Sequence, residues 1–148
     1  MKIKLNAWFQ CVNGCSGRYP LNDIIYRCPQ CDELLEVQHD MELLKQLGPV
    51  EWKALFKDRV GRHEWPYASS VWGKKEWVCP NLENKNVVST LEGGTNLFWA
   101  ERLGSQIGLD DLWIKQCGMA HTGSFKDLGM TVLVSMVKQM ISEGKNIR

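Results

Sequence analysis

Apolar positions follow different rhythms in the two halves of this chain. In the last third, Val132, Leu133, Met136, Val137, Met140 and Ile141 recur at three-to-four-residue spacing. That period predicts one long helix over 124–144 with an apolar face turned to a core. Leu97, Phe98, Leu103 and Ile107 predict a shorter helix over 97–108. The compact apolar runs VVST (87–90) and LWIKQC (112–117) predict strands, and EGGTN (92–96) a glycine turn. The first half is less regular. DIIYR (23–27) and ELLEVQH (33–39) read as strands. DMELLKQLG reads as a helix capped by Asp40 and stopped at Gly48-Pro49, and PVEWKALFKDRVG as a second helix with proline in its first turn. From His63 to Pro80 no period holds. Trp65, Trp72, Trp77 and Tyr67 mark this segment as an aromatic-rich connection that packs on a larger body.

Composition narrows the class. The chain has 148 residues, with 18 basic against 17 acidic side chains, a formal charge of +1. This balance argues against a nucleic-acid binder that works by bulk electrostatics. Hydrophobic content of 44% excludes wholesale disorder. No run approaches eighteen apolar residues, so no membrane span is expected. MKIKLNAWFQC has no apolar stretch of signal-peptide kind and no organellar leader composition. A cytoplasmic protein is therefore expected, and in that compartment clustered cysteines point to metal or catalysis rather than disulfides.

Four of the six cysteines, Cys11, Cys15, Cys28 and Cys31, are spaced C-x3-C, twelve residues, C-x2-C. Two short knuckles facing each other supply zinc with four soft tetrahedral ligands, the outline of a zinc ribbon. The spacing is slightly off the commonest template. Two disulfides are the alternative, disfavoured in a reducing compartment. A catalytic zinc is disfavoured too, because four thiolates leave no open position for water. Cys79 and Cys117 read as ordinary thiols, and His39 and His63 as surface or satisfied histidines.

Lys126 is the second candidate. Ser124 is placed to cap the long helix, with Asp127 three residues on in a capping-box-like arrangement, so Lys126 falls in the first turn. The positive end of a helix disfavours a cation and favours the neutral amine that a Schiff base with an aldehyde requires. Helix position alone describes a tolerated surface lysine equally well.

The surrounding string adds to this. KQCGMAHTGSFKDLGMTVLVS resembles the pyridoxal-phosphate lysine region of threonine synthases, which belong to fold type II, the tryptophan-synthase β family. HTGSFKDLGMT looks like the plant-type subgroup. The likeness extends back through NLFWAERLG, WPYASSVWGKKEW and LLEVQHDMELLK, from roughly residue 24 to the end. The resemblance implies that Lys126 carries the cofactor as a Schiff base and that Phe125 lies against the cofactor ring. It implies the family reaction, O-phospho-L-homoserine and water to L-threonine and phosphate, with the bound cofactor as electron sink. S-adenosylmethionine activation and a homodimer are implied for the subgroup, with no residues assigned here.

Leu128 stands where many fold-type II enzymes carry arginine, and Gly93-Gly94-Thr95-Asn96 replaces the common G-N-T-P turn. The plant enzymes largely lack the cysteine quartet. The expected fold class is α/β, a zinc-ribbon-like module at 1–39, a helical and aromatic-rich connection at 40–85, and the start of a fold-type II catalytic fold at 86–148. No phosphate cradle follows the lysine helix, so an N-terminal portion inactive alone is expected, with some apolar positions of 128–141 exposed. The alternatives are another fold-type II lyase or dehydratase, which SFKD alone permits, and a non-enzymatic zinc-ribbon binding module.

Overall fold

The structure is a computed structural model that describes residues 4–147. β1 (Ala7–Cys11) pairs antiparallel with β2 (Arg18–Pro20) on one edge and with β3 (Leu35–His39) on the other, in the order β2-β1-β3. Phe9 sits opposite both Tyr19 and Val37. The strand expected at 23–27 does not form. Both edges of β1 are already taken, and after Pro20 the Asp23 N–H turns back onto the Pro20 carbonyl at 3.0 Å. Ile24 and Tyr26 remain exposed and border an apolar groove beside the last helix.

Two helices follow much as expected. In α1 (Met41–Leu44) the Asp40 carboxylate accepts the Leu43 N–H at 3.1 Å. α2 (Pro49–Arg59) starts on proline, which gives up only a donor that has no intrahelical partner there. The aromatic connection holds a 3-10 turn, Trp72–Lys74, and the short α3 (Lys75–Val78). Trp77 on α3 packs edge-on against Trp52 and Phe56 of α2, with centroids 5.5 and 4.8 Å apart. Arg59 reinforces the contact: its guanidinium donates twice to the Glu76 carboxylate at 2.7 Å and lies 3.9 Å over the Tyr67 ring.

β4 (Leu97–Trp99) pairs antiparallel with β5 (Trp113–Lys115), enclosing α4 (Glu101–Ile107). The helix thus begins later than its apolar spacing predicted. Leu97, Phe98 and Trp99 gain cross-strand partners in Lys115, Ile114 and Trp113, an aromatic pair among them.

α5 (Asp127–Ser142) closes the fold. Its buried residues are polar: Thr131, Ser135 and Gln139. The reason lies in VVST. This segment is extended but joins no sheet. The Val88 N–H donates to Ser135 Oγ at 2.8 Å, and the Val88 carbonyl accepts from Thr131 Oγ1 at 2.7 Å. The Glu83 N–H donates to Gln139 Oε1 at 2.8 Å. A stripe of helix side chains thereby supplies what a neighbouring strand would have supplied. Val132 and Met136 flank the stripe and touch the core of Ala7, Leu21, Trp72, Cys79, Leu82 and Val87. Leu133 and Ile141 are exposed, as expected for part of the apolar periodicity.

Candidate functional site

The four cysteines expected to share a metal converge. Cys11 ends β1, and the chain reverses through Gly14, whose positive φ of 78° suits glycine and whose N–H bonds the Cys11 carbonyl at 3.0 Å. Asn13 N–H points at Cys11 Sγ, 3.4 Å away. The second turn repeats this device. Gln30 N–H points at Cys28 Sγ at 3.4 Å, and Asp32 N–H bonds the Cys28 carbonyl at 2.9 Å. All four sulfurs lie within 4.8 Å of one another, with Cys11–Cys31 at 3.4 Å and Cys15–Cys31 at 3.5 Å. A tetrahedron with bonds of about 2.3 Å has edges of about 3.8 Å, so only small adjustments would seat an ion.

Protonation across the four thiols is unequal. Burial raises the Cys28 thiol, but N–H groups of Gln30 and Cys31 outweigh it and bring it down to about 7. Cys15, facing the sulfurs of Cys31 and Cys11, is pushed up to about 12. Thiolates crowded together repel, and a dication in their midst removes that obstacle. All six cysteines are free thiols. Cys79 lies apart, its sulfur 3.4 Å from that of Met136, and Cys117 lies in a 3-10 turn before the lysine loop.

Lys126 occupies the N-cap position of α5, two places before the first-turn position expected with Ser124 as the cap, and its carbonyl accepts the Met130 N–H at 2.9 Å. The capping box does not form. Ser124 Oγ accepts the Lys126 N–H at 3.3 Å, while the Asp127 carboxylate turns back to the Thr122 hydroxyl and N–H at 2.6 and 2.8 Å. Those two donors hold the Asp127 carboxyl below its ordinary range. Gly123, with φ of 77°, makes the bend between them. The loop into the lysine is therefore folded on itself. Lys126 is exposed, and its amine makes no hydrogen bond or ion pair among the described residues. Phe125 beside it is 63% exposed.

The glycine turn lies against the start of α5. A Cβ at Gly93 would fall 1.7 Å from Ser70 Oγ and 3.6 Å from the Leu128 side chain. Ser70 Oγ also accepts the Gly94 N–H at 2.9 Å. Behind the turn, burial pushes the Glu92 carboxyl up, but donors from Ser89 and Thr90 outweigh it and hold it below its usual range. A cavity of about 170 Å³ opens here, with Arg59, Tyr67, Ser70, Lys74 and Gly94 in its wall. Sequence reasoning missed Ser70. The signal was the Ser-Ser pair before Trp72, a small hydroxyl step able to face a glycine.

Over 130 residues, 87% of this chain, the sequence is 52% identical to the chloroplastic threonine synthase 2 of Arabidopsis thaliana. It is 35% identical to the threonine synthases of Methanocaldococcus jannaschii and Methanosarcina acetivorans, each over 85% of the chain. The chain is homologous to threonine synthases. It spans only 25 to 28% of the length of these three relatives. No family model matches it. The match to the plant threonine synthase leaves outside it fewer residues than follow Lys126, so the lysine lies within it wherever its ends fall. Among the described residues, no helix is long and apolar enough to cross a membrane.

Proposed function

We infer that this chain supplies the lysine of a pyridoxal-phosphate-dependent threonine synthase, which converts O-phospho-L-homoserine and water to L-threonine and phosphate. The observation that carries the reading is Lys126. It has an exposed, unpartnered amine at the start of α5, in a loop braced by Asp127 and Thr122, within a stretch matched by a threonine synthase. These residues fit the aldehyde end of the cofactor: a reachable primary amine, with the Phe125 ring exposed beside it for stacking. When bound, pyridoxal phosphate supplies an electron sink for carbanions next to the amino group. The chain's own part is to hold the lysine and, once the substrate amine displaces it, to move protons with that amine. Subgroup likeness adds S-adenosylmethionine as effector and a homodimer to the reading.

The cysteine cluster, in the same reading, binds one structural zinc. Four thiolates fill the tetrahedron, and the site contributes stability rather than chemistry. A zinc site of four thiolates requires reduced cysteines, which favours a reducing compartment such as the cytoplasm. Incubation with pyridoxal phosphate followed by borohydride reduction should fix the cofactor on Lys126, and Lys126→Ala should lose that label. Label confined to other lysines overturns the assignment. Formation of L-threonine along with phosphate from O-phospho-L-homoserine, lost in an enzyme carrying the same substitution, separates threonine synthesis from another lyase reaction, which would release phosphate without threonine.

A further inference from the structure

We propose that metal loading at Cys11, Cys15, Cys28 and Cys31 controls how firmly α5, the helix that begins at Lys126, is docked. The inference rests on the zinc reading above and goes beyond it, because it makes the ribbon a conformational lever on the lysine helix.

The lever is β1. Its last residue, Cys11, belongs to the thiol cluster, and its first, Ala7, is 1% exposed in the core that Val132 and Met136 of α5 pack against. Four steps of extended chain, about 13 Å, separate the two ends, so whatever fixes one places the other. Asn81 clips the inner end in both directions: its Oδ1 accepts the Ala7 N–H at 2.9 Å, and its Nδ2 donates to the Ala7 carbonyl at 3.0 Å. Beyond β2, Leu21 enters the same core. The neighbouring Asn22 donates to the Glu143 carboxylate at 2.6 Å, and Lys145 reaches back to the Asn22 carbonyl and to Asp23 at 3.4 Å. The ribbon therefore grips α5 at two places, beneath Val132 and Met136 and just past the C-terminal end.

The ribbon itself has little else to hold it. Its sheet consists of strands of five, three and five residues, and most of their side chains are partly or fully exposed. Modules of this size generally need a metal or disulfides to order, and here the thiols are free. Without metal, the sheet that positions Ala7 and Leu21 loosens, and α5 loses part of its floor. With metal, opening of α5 must release the ion as well. If the two are fully linked, free zinc at about 100 times its Kd lowers the population of that open state about 100-fold.

Hydrogen exchange read by mass spectrometry on the purified chain tests this, with zinc buffered at that level or removed by a chelator. Amides of Thr131–Met140 should gain about 100-fold protection with zinc. Amides of α4, which has no hydrogen bond to residues 4–39, should change little. Asn81→Ala combined with Lys145→Ala leaves the four thiols intact. That variant should still bind one zinc while the gain in α5 falls below about tenfold. One bound zinc with protected ribbon amides and an unchanged α5 overturns the coupling and leaves the zinc reading standing. A full α5 gain in the double variant overturns the route through Asn81 and Lys145. Failure to bind zinc at all overturns both.

Discussion

Ser135→Ala is the sharpest probe of how the lysine helix is held. Ser135 is fully buried; its Oγ accepts the Val88 N–H at 2.8 Å and donates to the Thr131 carbonyl at 2.6 Å. Alanine removes the acceptor while leaving almost the same volume, so the Val88 N–H loses its partner in a partly buried place. An unsatisfied donor of this kind costs about 1–3 kcal/mol. Alanine's better helix propensity returns about 0.5 kcal/mol. The net loss is about 0.5–2.5 kcal/mol, equivalent to a Tm lowered by roughly 2–10 °C for a chain of this size. Denaturant unfolding followed by tryptophan fluorescence measures it, since Trp72 lies in the core touched by α5. Ser105→Ala, on the exposed side of α4, is the control and should stay within about 0.5 kcal/mol of the parent. Thr131→Val should be non-additive with Ser135→Ala, because both hydroxyls bond Val88. If Ser135→Ala destabilises no more than Ser105→Ala, side-chain docking of the 87–90 segment is not what holds α5.

Cys28→Ser should reduce zinc from about one per chain to near none by elemental analysis, whereas Cys79→Ser, outside the cluster, should leave it unchanged. Gly93→Ala should destabilise by about 1–3 kcal/mol, because it combines a φ of 93° with a clash on Ser70; Gly94→Ala, with nothing within 4 Å of the new carbon, should lose only about 1 kcal/mol in the same unfolding assay. Asp127 sets an acid limit. Its folded-state carboxyl is depressed, so its contribution is complete above the unfolded value near 3.8 and is lost as pH falls through the lower folded value. Limited proteolysis at 120–126 should therefore accelerate in the parent only below about pH 4, while Asp127→Asn should be cleaved faster than the parent above that pH and lack the acid step.

The cysteine cluster was more legible than the architecture around it. Spacing alone brought Cys11, Cys15, Cys28 and Cys31 together, because two short knuckles are a local device that needs few long-range contacts. Asp40 capping α1 and Pro49 opening α2 were readable for the same reason. The strand at 23–27 was not, since whether an apolar run pairs depends on which edge is free, and β3, arriving from later in the chain, occupies it. The α4 region misled in the opposite direction: Leu97 and Phe98 satisfy helical spacing, yet cross-strand pairing with β5 takes them. At the lysine, Ser124 and Asp127 have the right types for a capping box. The left-handed Gly123 instead brings Thr122 within reach of the carboxylate.

The largest departure concerns α5, and it bears on function. Period analysis assumes that the face turned inward is the apolar one. Here the buried stripe is Thr131, Ser135 and Gln139, and a side-chain oxygen of each bonds backbone of 83–88. A greasy interface tolerates sliding and repacking, whereas hydrogen bonds to named backbone atoms fix both register and rotation. A helix meant to present one amine at one place gains more from the second kind of contact. The stripe begins five residues after Lys126, far enough for the lysine to stay exposed and near enough for its backbone to be anchored by the same rigid element. On the proposed role of Lys126, stability and reactivity are divided along one helix. The buried hydroxyls and amide hold it, the Asp127–Thr122 brace shapes its entrance, and the amine is left without a partner to compete with a ligand.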